Sequence, residues 1–118
     1  MAASLAASGR RTGLYTSPHV SDWIERIAID GTPSDAARVT AAGDRARALV
    51  ERLAGGLPGE FAPTTFELLT LIAFLCFRDA GCEDAVVEVG IGGRLDVTNV
   101  ISPEASVVTP LELEHTDI

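Results

Sequence analysis

The sequence predicts an α/β domain: part of a mostly parallel sheet with flanking helices. Residues 84–89 (DAVVEV) and 105–109 (ASVVT) are nearly continuous β-rich apolar runs, the pattern of central strands covered on both faces. Segments with helical periodicity and caps alternate with the predicted strands, which indicates α/β architecture. A length of 118 residues allows one domain.

Each element has its own local signal. Residues 1–9 (MAASLAASG) favour helix and stop at Gly9, with no capping residue ahead of Met1. Residues 12–16 (TGLYT) read as a short strand running into the loop Ser17-Pro18-His19, and 24–29 as a brief extended segment. Thr32 then reads as the cap of a helix with Pro33 at its first position. Val39, Ala42, Ala46, Leu49, Val50 and Leu53 form its apolar stripe, and Gly55-Gly56-Leu57-Pro58-Gly59 ends it. A second helix opens at Thr64 or Thr65, where Thr64-x-x-Glu67 fits a capping box, and runs to about Asp79 with Gly81 as its stop. It is apolar nearly all round, so burial on most sides is expected.

Composition excludes several functions. Nine basic residues against seventeen acidic ones give a net charge of −8, which disfavours nucleic acid or an anionic membrane as partner. All nine basic residues are Arg, so a complete phosphate loop of the G-x-x-x-x-G-K-[ST] type is ruled out within these residues. Cys76 and Cys82 lack the spacing of a zinc site or disulfide framework, and Cys76 reads as a buried reduced thiol. No signal peptide is visible, and the longest apolar run, 68–77, is too short to span a bilayer. The protein therefore reads as cytoplasmic.

Open α/β sheets bind ligands beyond the carboxyl ends of their strands. Three predicted strands end in unusual polar sequence: Ser17-Pro18-His19, residues 88–96 (EVGIGGRLD) and residues 112–117 (ELEHTD). Glu88 lies among Val86, Val87 and Val89, where a buried carboxylate costs several kcal/mol unless paired or metal-bound. The alternative is simple alternation, with Glu88 facing solvent. Carboxylate, hydroxyl and imidazole, with water and phosphate, suit Mg²⁺. His115 and His19, each taken alone, read as surface histidines. Pro18 biases Ser17 toward an extended conformation in a stiff turn. Gly90, Gly92 and Gly93 permit positive φ and close backbone approach. They do not make a dinucleotide fingerprint, because Leu95 stands where Gly or Ala is needed, and the sequence after them is not helical. A bare glycine-rich turn remains the alternative.

Taken together, Tyr15-Thr-Ser-Pro-His19, Thr65-Phe-Glu67, residues 88–99 (EVGIGGRLDVTN) and Glu114-His-Thr-Asp117 resemble the folylpolyglutamate synthase/dihydrofolate synthase family of the Mur ligase superfamily. The likeness spans essentially the whole chain. It implies an ATP-dependent amide ligase that phosphorylates a pteroate or folate carboxylate and lets L-glutamate displace the phosphate. By position it implies Ser17, Glu88 and His115 as Mg²⁺ ligands. Thr64, Thr65, Phe66 and Glu67, with Leu95, Asp96 and Val97, become the pterin- or folate-binding segments. For Glu67 the capping box is a structural alternative, and both roles can hold together. Glu114 stands where the family usually has Asp. The resemblance also implies that residues 1–118 are part of a central ATP-binding domain truncated at both ends. The phosphate loop is then expected before Met1 and the glutamate-binding domain after Ile118, so the ATP contacts have no residues here. The isolated chain is expected to be inactive, and the full-length protein a monomer.

Residues 86–93 (VVEVGIGG) also resemble the first motif of S-adenosylmethionine-dependent methyltransferases. That reading requires a helix after Gly93, which Pro103 and the β-branched run oppose. A non-catalytic interaction module would leave Glu88 and the glycines without a reason.

Overall fold

Capping chemistry decides where the two long helices begin and end. The computed structural model describes residues 1–56 and 62–110. Helix α1 is Ala2–Ala7, strand β1 Thr12–Tyr15, β2 Ile27–Ile29, β3 Thr32–Pro33, α2 Ala36–Ala54, α3 Thr65–Ala80 and β4 Asp84–Val87. The α3 boundaries follow the sequence signals closely. Thr64 Oγ1 accepts from the Glu67 amide (3.2 Å), and the Glu67 carboxylate accepts from the Thr64 amide (2.7 Å). Gly81, at φ +67°, ends the helix in the left-handed conformation that glycine adopts without steric cost.

The start of α2 differs from the sequence expectation. Asp35, not Thr32, caps it, accepting from the Arg38 amide at 2.8 Å. Thr32 and Pro33 belong instead to β3, in a hairpin with β2. Asp30 (φ +51°) and Gly31 (φ +78°) form its two-residue turn, the Asp-Gly pair that tolerates positive φ at both positions.

The sheet order is β3-β2-β1-β4. β1 pairs with β4 in parallel, from Thr12↔Asp84 to Tyr15↔Val87. The β1–β2 and β2–β3 pairings are antiparallel. Where the sequence predicted a mostly parallel sheet, the described strands thus form a mixed one, because the Asp30-Gly31 turn adds a hairpin on one side of β1. Residues 105–109, expected as a strand, are exposed and unpaired. They lie across a cavity of about 510 Å³ from Val86 and Val87. A β-rich run becomes a strand only where a neighbouring backbone meets it, and among the described residues none does.

One core joins the layers. Tyr15, Ile27 and Ile29 of the sheet pack with Val39, Ala42 and Ala46 of α2 and with Ile72, Ala73, Leu75, Cys76 and Phe77 of α3. The predicted α2 stripe is buried in its first half and emerges at Leu53, which is exposed. Cys76 is a buried free thiol, and burial pushes its pKa up. Among the described residues no helix is long and apolar enough to cross a membrane.

Gly13 shows how tightly α3 lies on the sheet: a Cβ there would sit 2.6 Å from the Phe77 ring. Gly13→Ala therefore overpacks the core and is expected to cost about 1–3 kcal/mol. Chemical denaturation of the complete protein checks this, and an unchanged midpoint would contradict the close approach of Phe77 to β1.

Candidate functional site

The β1–β4 pairing continues beyond its last strand residues. The Glu88 amide donates to the Tyr15 carbonyl (2.9 Å), and the Ser17 amide donates to Glu88 Oε2 (2.7 Å). Two segments 71 residues apart in sequence are thereby joined at the carboxyl ends of the only parallel pair among the described strands. The Ser17–Pro18 peptide is cis.

Glu88 itself is exposed, against the expectation of a buried carboxylate. Strand β4 is the sheet edge among the described residues, with Val86 and Val87 only half-buried, so Glu88 does not enter a covered interior. Its Oε1 has no hydrogen-bond partner among the described residues. Of the three residues expected to hold a metal, Ser17 and Glu88 are brought together, whereas His115 and the neighbouring Glu114 lie outside the described residues. His19 is exposed and accepts from Arg26 Nε at 2.9 Å through Nδ1.

After Glu88 the chain makes a glycine-rich turn held by one carboxylate. Asp96 Oδ2 accepts from the amides of Gly90 (3.1 Å) and Ile91 (3.0 Å). Asp96 Oδ1 accepts from the Thr98 amide (2.9 Å) and hydroxyl (2.5 Å). Partial burial pushes the Asp96 carboxyl up, but the hydrogen bonds from Thr98, Ile91 and Gly90 outweigh it and hold it below the usual range. Gly92 (φ +72°) and Gly93 (φ +130°) have the predicted positive φ. Gly90 does not; it is required for room, since a Cβ there would lie 2.6 Å from the Phe66 ring and 2.9 Å from Asp96 Oδ2. Asp96 also caps a one-turn 3-10 helix, Val97–Val100, in a stretch that the sequence did not read as helical.

The first turn of α3 lies under this turn. The half-buried Phe66 stacks on the fully buried Tyr15, with ring centroids 6.0 Å apart and planes at 29°. The Thr70 hydroxyl donates to the Phe66 carbonyl (2.8 Å) and contacts the Tyr15 hydroxyl (3.2 Å). Thr64, Thr65 and Glu67 are exposed beside Phe66. Leu95 is 96% exposed, a large apolar side chain left in solvent, and Val97 is half-buried. Hydrogen bonds from the Thr64 amide and hydroxyl lower the Glu67 pKa. The roles of Tyr15 and Thr98 were not read from the sequence. Asp96-x-Thr98 is the spacing of a side-chain turn onto the backbone two residues on, and it was the available signal for Thr98.

No protein-family model matches the chain. Individual proteins do. It is 42% identical over 120 residues to dihydrofolate synthase/folylpolyglutamate synthase of Mycobacterium tuberculosis, covering 98% of this chain and 25% of the relative. It is 44% identical over 111 residues to folylpolyglutamate synthase of Lacticaseibacillus casei, covering 94% of this chain and 26% of that protein. A solved FPGS–AMPPCP–folate complex superposes with a TM-score of 0.92 at 44% identity over 99% of this chain and 28% of its own. The chain belongs to the folylpolyglutamate/dihydrofolate synthase family. It spans about a quarter of the length of the curated relatives it matches. Nothing in these comparisons supports the methyltransferase reading, and the single 3-10 turn after Gly93 is not the helix that reading requires.

In this family member the Thr64–Glu67 box both starts α3 and occupies a carboxylate of the candidate site. Thr64→Ala is expected to lower stability by about 1 kcal/mol at pH 7. The Glu67 pKa is depressed in the fold, so its contribution is full above the ordinary carboxyl value and is lost as pH falls through the folded value. The deficit of the variant should therefore shrink on acidification. Denaturation curves at neutral pH and well below the carboxyl range test this, and a pH-independent deficit would contradict the coupling.

Proposed function

We propose that these residues form part of the central ATP-binding domain of a ligase that joins L-glutamate to dihydropteroate or a folate through an acyl phosphate. The observation that carries this reading is the Ser17–Glu88 junction at the ends of the parallel strands, in a chain of this family. A further support is the FPGS complex with AMPPCP and folate, which shares the fold of this chain.

The donor set fits a hard divalent cation. Ser17 brings a half-buried hydroxyl beside an exposed carboxylate whose second oxygen is unengaged among the described residues, and oxygen donors of this kind suit Mg²⁺. Ser17, Glu88 and His115 would hold the ion. When bound it supplies charge neutralisation for the phosphates and the developing acyl phosphate. The Ser17 amide orients the Glu88 carboxylate through Oε2 and leaves Oε1 for the site.

The pterin or folate is assigned to the face made by Thr64, Thr65, Phe66 and Glu67 with Leu95, Asp96 and Val97. Phe66 and the exposed Leu95 provide apolar area for a flat ring, and the threonine hydroxyls provide polar edges. The lysine that cradles ATP phosphates is assigned to a part of the protein outside these residues, since the 118 contain none. The reading carries with it a monomeric cytoplasmic enzyme with small-molecule partners only.

Glu88→Gln keeps the size of the side chain and removes its charge. In the complete protein, glutamate-dependent phosphate release is expected to fall on the order of 10²-fold, with the Mg²⁺ requirement moved to higher concentration. Because Glu88 is exposed, thermal stability should hardly change. Superimposable activity curves against Mg²⁺ for the two proteins would overturn the metal assignment.

A further inference from the structure

Residues 16–26 connect β1 to β2, and the Thr16 amide donates to the Arg26 carbonyl (3.0 Å) at the base of that connection. Beyond this bond Pro18 to Trp23 are all exposed, Val20 at 93%, so apolar burial does not fix the path of the segment. Polar ties do. The Glu25 carboxylate gathers three backbone donors. Its Oε2 accepts from the Val20 amide (3.0 Å) and, more loosely, from the Ser21 amide (3.4 Å), and its Oε1 accepts from the Asp22 amide (3.1 Å). The bond from Asp22 completes the capping box of a 3-10 turn, Trp23–Arg26. A carboxylate that served only as a cap would stop there, whereas the second oxygen of Glu25 reaches two residues further back into the loop. These bonds, those from Val20 and Ser21 foremost, hold the Glu25 carboxyl below its ordinary range. The chain from Ser17 to Val20 is thereby held at three successive points: the Ser17 amide on Glu88, the His19 ring on Arg26 Nε and the Val20 amide on Glu25. Pro18, with its φ fixed by the ring, lies between the first two.

We propose that Glu25 is a positioning residue for the candidate cation edge: by holding the Val20 and Ser21 amides it fixes the loop that presents the Ser17 hydroxyl beside Glu88. This inference rests on the assignment of Ser17 as a cation ligand under the proposed function. The bond from the Ser17 amide to Glu88 fixes one side of that residue. The direction of its Cα–Cβ bond depends also on the path the chain takes afterwards, and Glu25 sets that path. With the loop held, the hydroxyl stays at the cation edge in most molecules. With the loop released, apparent cation affinity falls by the fraction of molecules in which the hydroxyl is out of place.

The test uses the complete protein with Glu25→Ala, and Asp22→Ala as its control. Asp22→Ala also removes one negative charge from the loop and one bond of the 3-10 cap, that from the Ile24 amide, but leaves the Val20 and Ser21 amides on Glu25. In Glu25→Ala, hydrogen exchange at those two amides is expected to rise about tenfold or more. The Mg²⁺ concentration for half-maximal glutamate-dependent phosphate release should rise about tenfold, while kcat at saturating Mg²⁺ falls by a smaller factor. Asp22→Ala should leave both close to those of the unaltered protein. Glu25→Gln, which keeps one acceptor oxygen for three donors, should show the same changes to a smaller extent, and it takes the place of the alanine variant should that one not fold. Equal shifts in Glu25→Ala and Asp22→Ala would overturn the proposal, since loss of a cap or of a charge then accounts for them. Ser17→Ala, measured in parallel, separates the positioning role from the cation assignment beneath it. A Mg²⁺ shift in Ser17→Ala without one in Glu25→Ala overturns the positioning role alone, and a shift in neither overturns the cation assignment as well.

Discussion

The parallel contact between β1 and β4 carries the site, because it brings together two segments that have no local reason to meet. Its register is held from both ends. At the start, Arg10 pairs with Asp84 and the Glu83 amide donates to the Arg11 carbonyl at 2.8 Å. At the finish, the Glu88 amide reaches the Tyr15 carbonyl. A slip of one residue would turn every β4 side chain to the other face and separate Ser17 from Glu88. Helix α3 opposes such a slip, since it supplies the crossover region before β4 and lies on β1 with the Phe77 ring against Gly13.

The same strand supports the second half of the site. Tyr15 ends β1, is fully buried, and forms the base of a stack in which Phe66 lies on Tyr15 and Gly90 lies on Phe66. Desolvation raises the Tyr15 pKa, in keeping with a neutral phenol packed in the core beside Thr70. The candidate metal edge and the candidate ring-binding face thus share one buried residue. Packing at Tyr15 influences both, although Tyr15 belongs to neither.

What was legible in the sequence was local chemistry. The Thr64–Glu67 box, the Gly81 stop and the stripe at Val39, Ala42 and Ala46 depend on neighbours within one or two turns, and the structure shows all of them. Features that depend on distant partners were read less well. Thr32-Pro33 carries a helix-start pattern, yet pairing with Ala28 and Ile29 places it in a strand, and Asp35 takes the cap. Residues 105–109 have strand composition but no paired neighbour among the described residues. Glu88 stands beside Ser17, as the family resemblance implies, but not in a buried setting. Flanking valines suggested burial, whereas the residue is exposed and is fixed by the Ser17 amide. Gly90 is similar: composition suggested backbone freedom, and the requirement is space beside Phe66.

The central claim is that the β1–β4 register builds one divalent-cation edge from Ser17 and Glu88. Paramagnetic broadening by Mn²⁺ reads this directly, because its steep distance dependence maps the ion onto individual amides. In the complete protein, substoichiometric Mn²⁺ should broaden the amide resonances of Ser17 and Glu88 first, and excess Mg²⁺ should restore them. Broadening centred elsewhere, with Ser17 and Glu88 left sharp, would contradict the account.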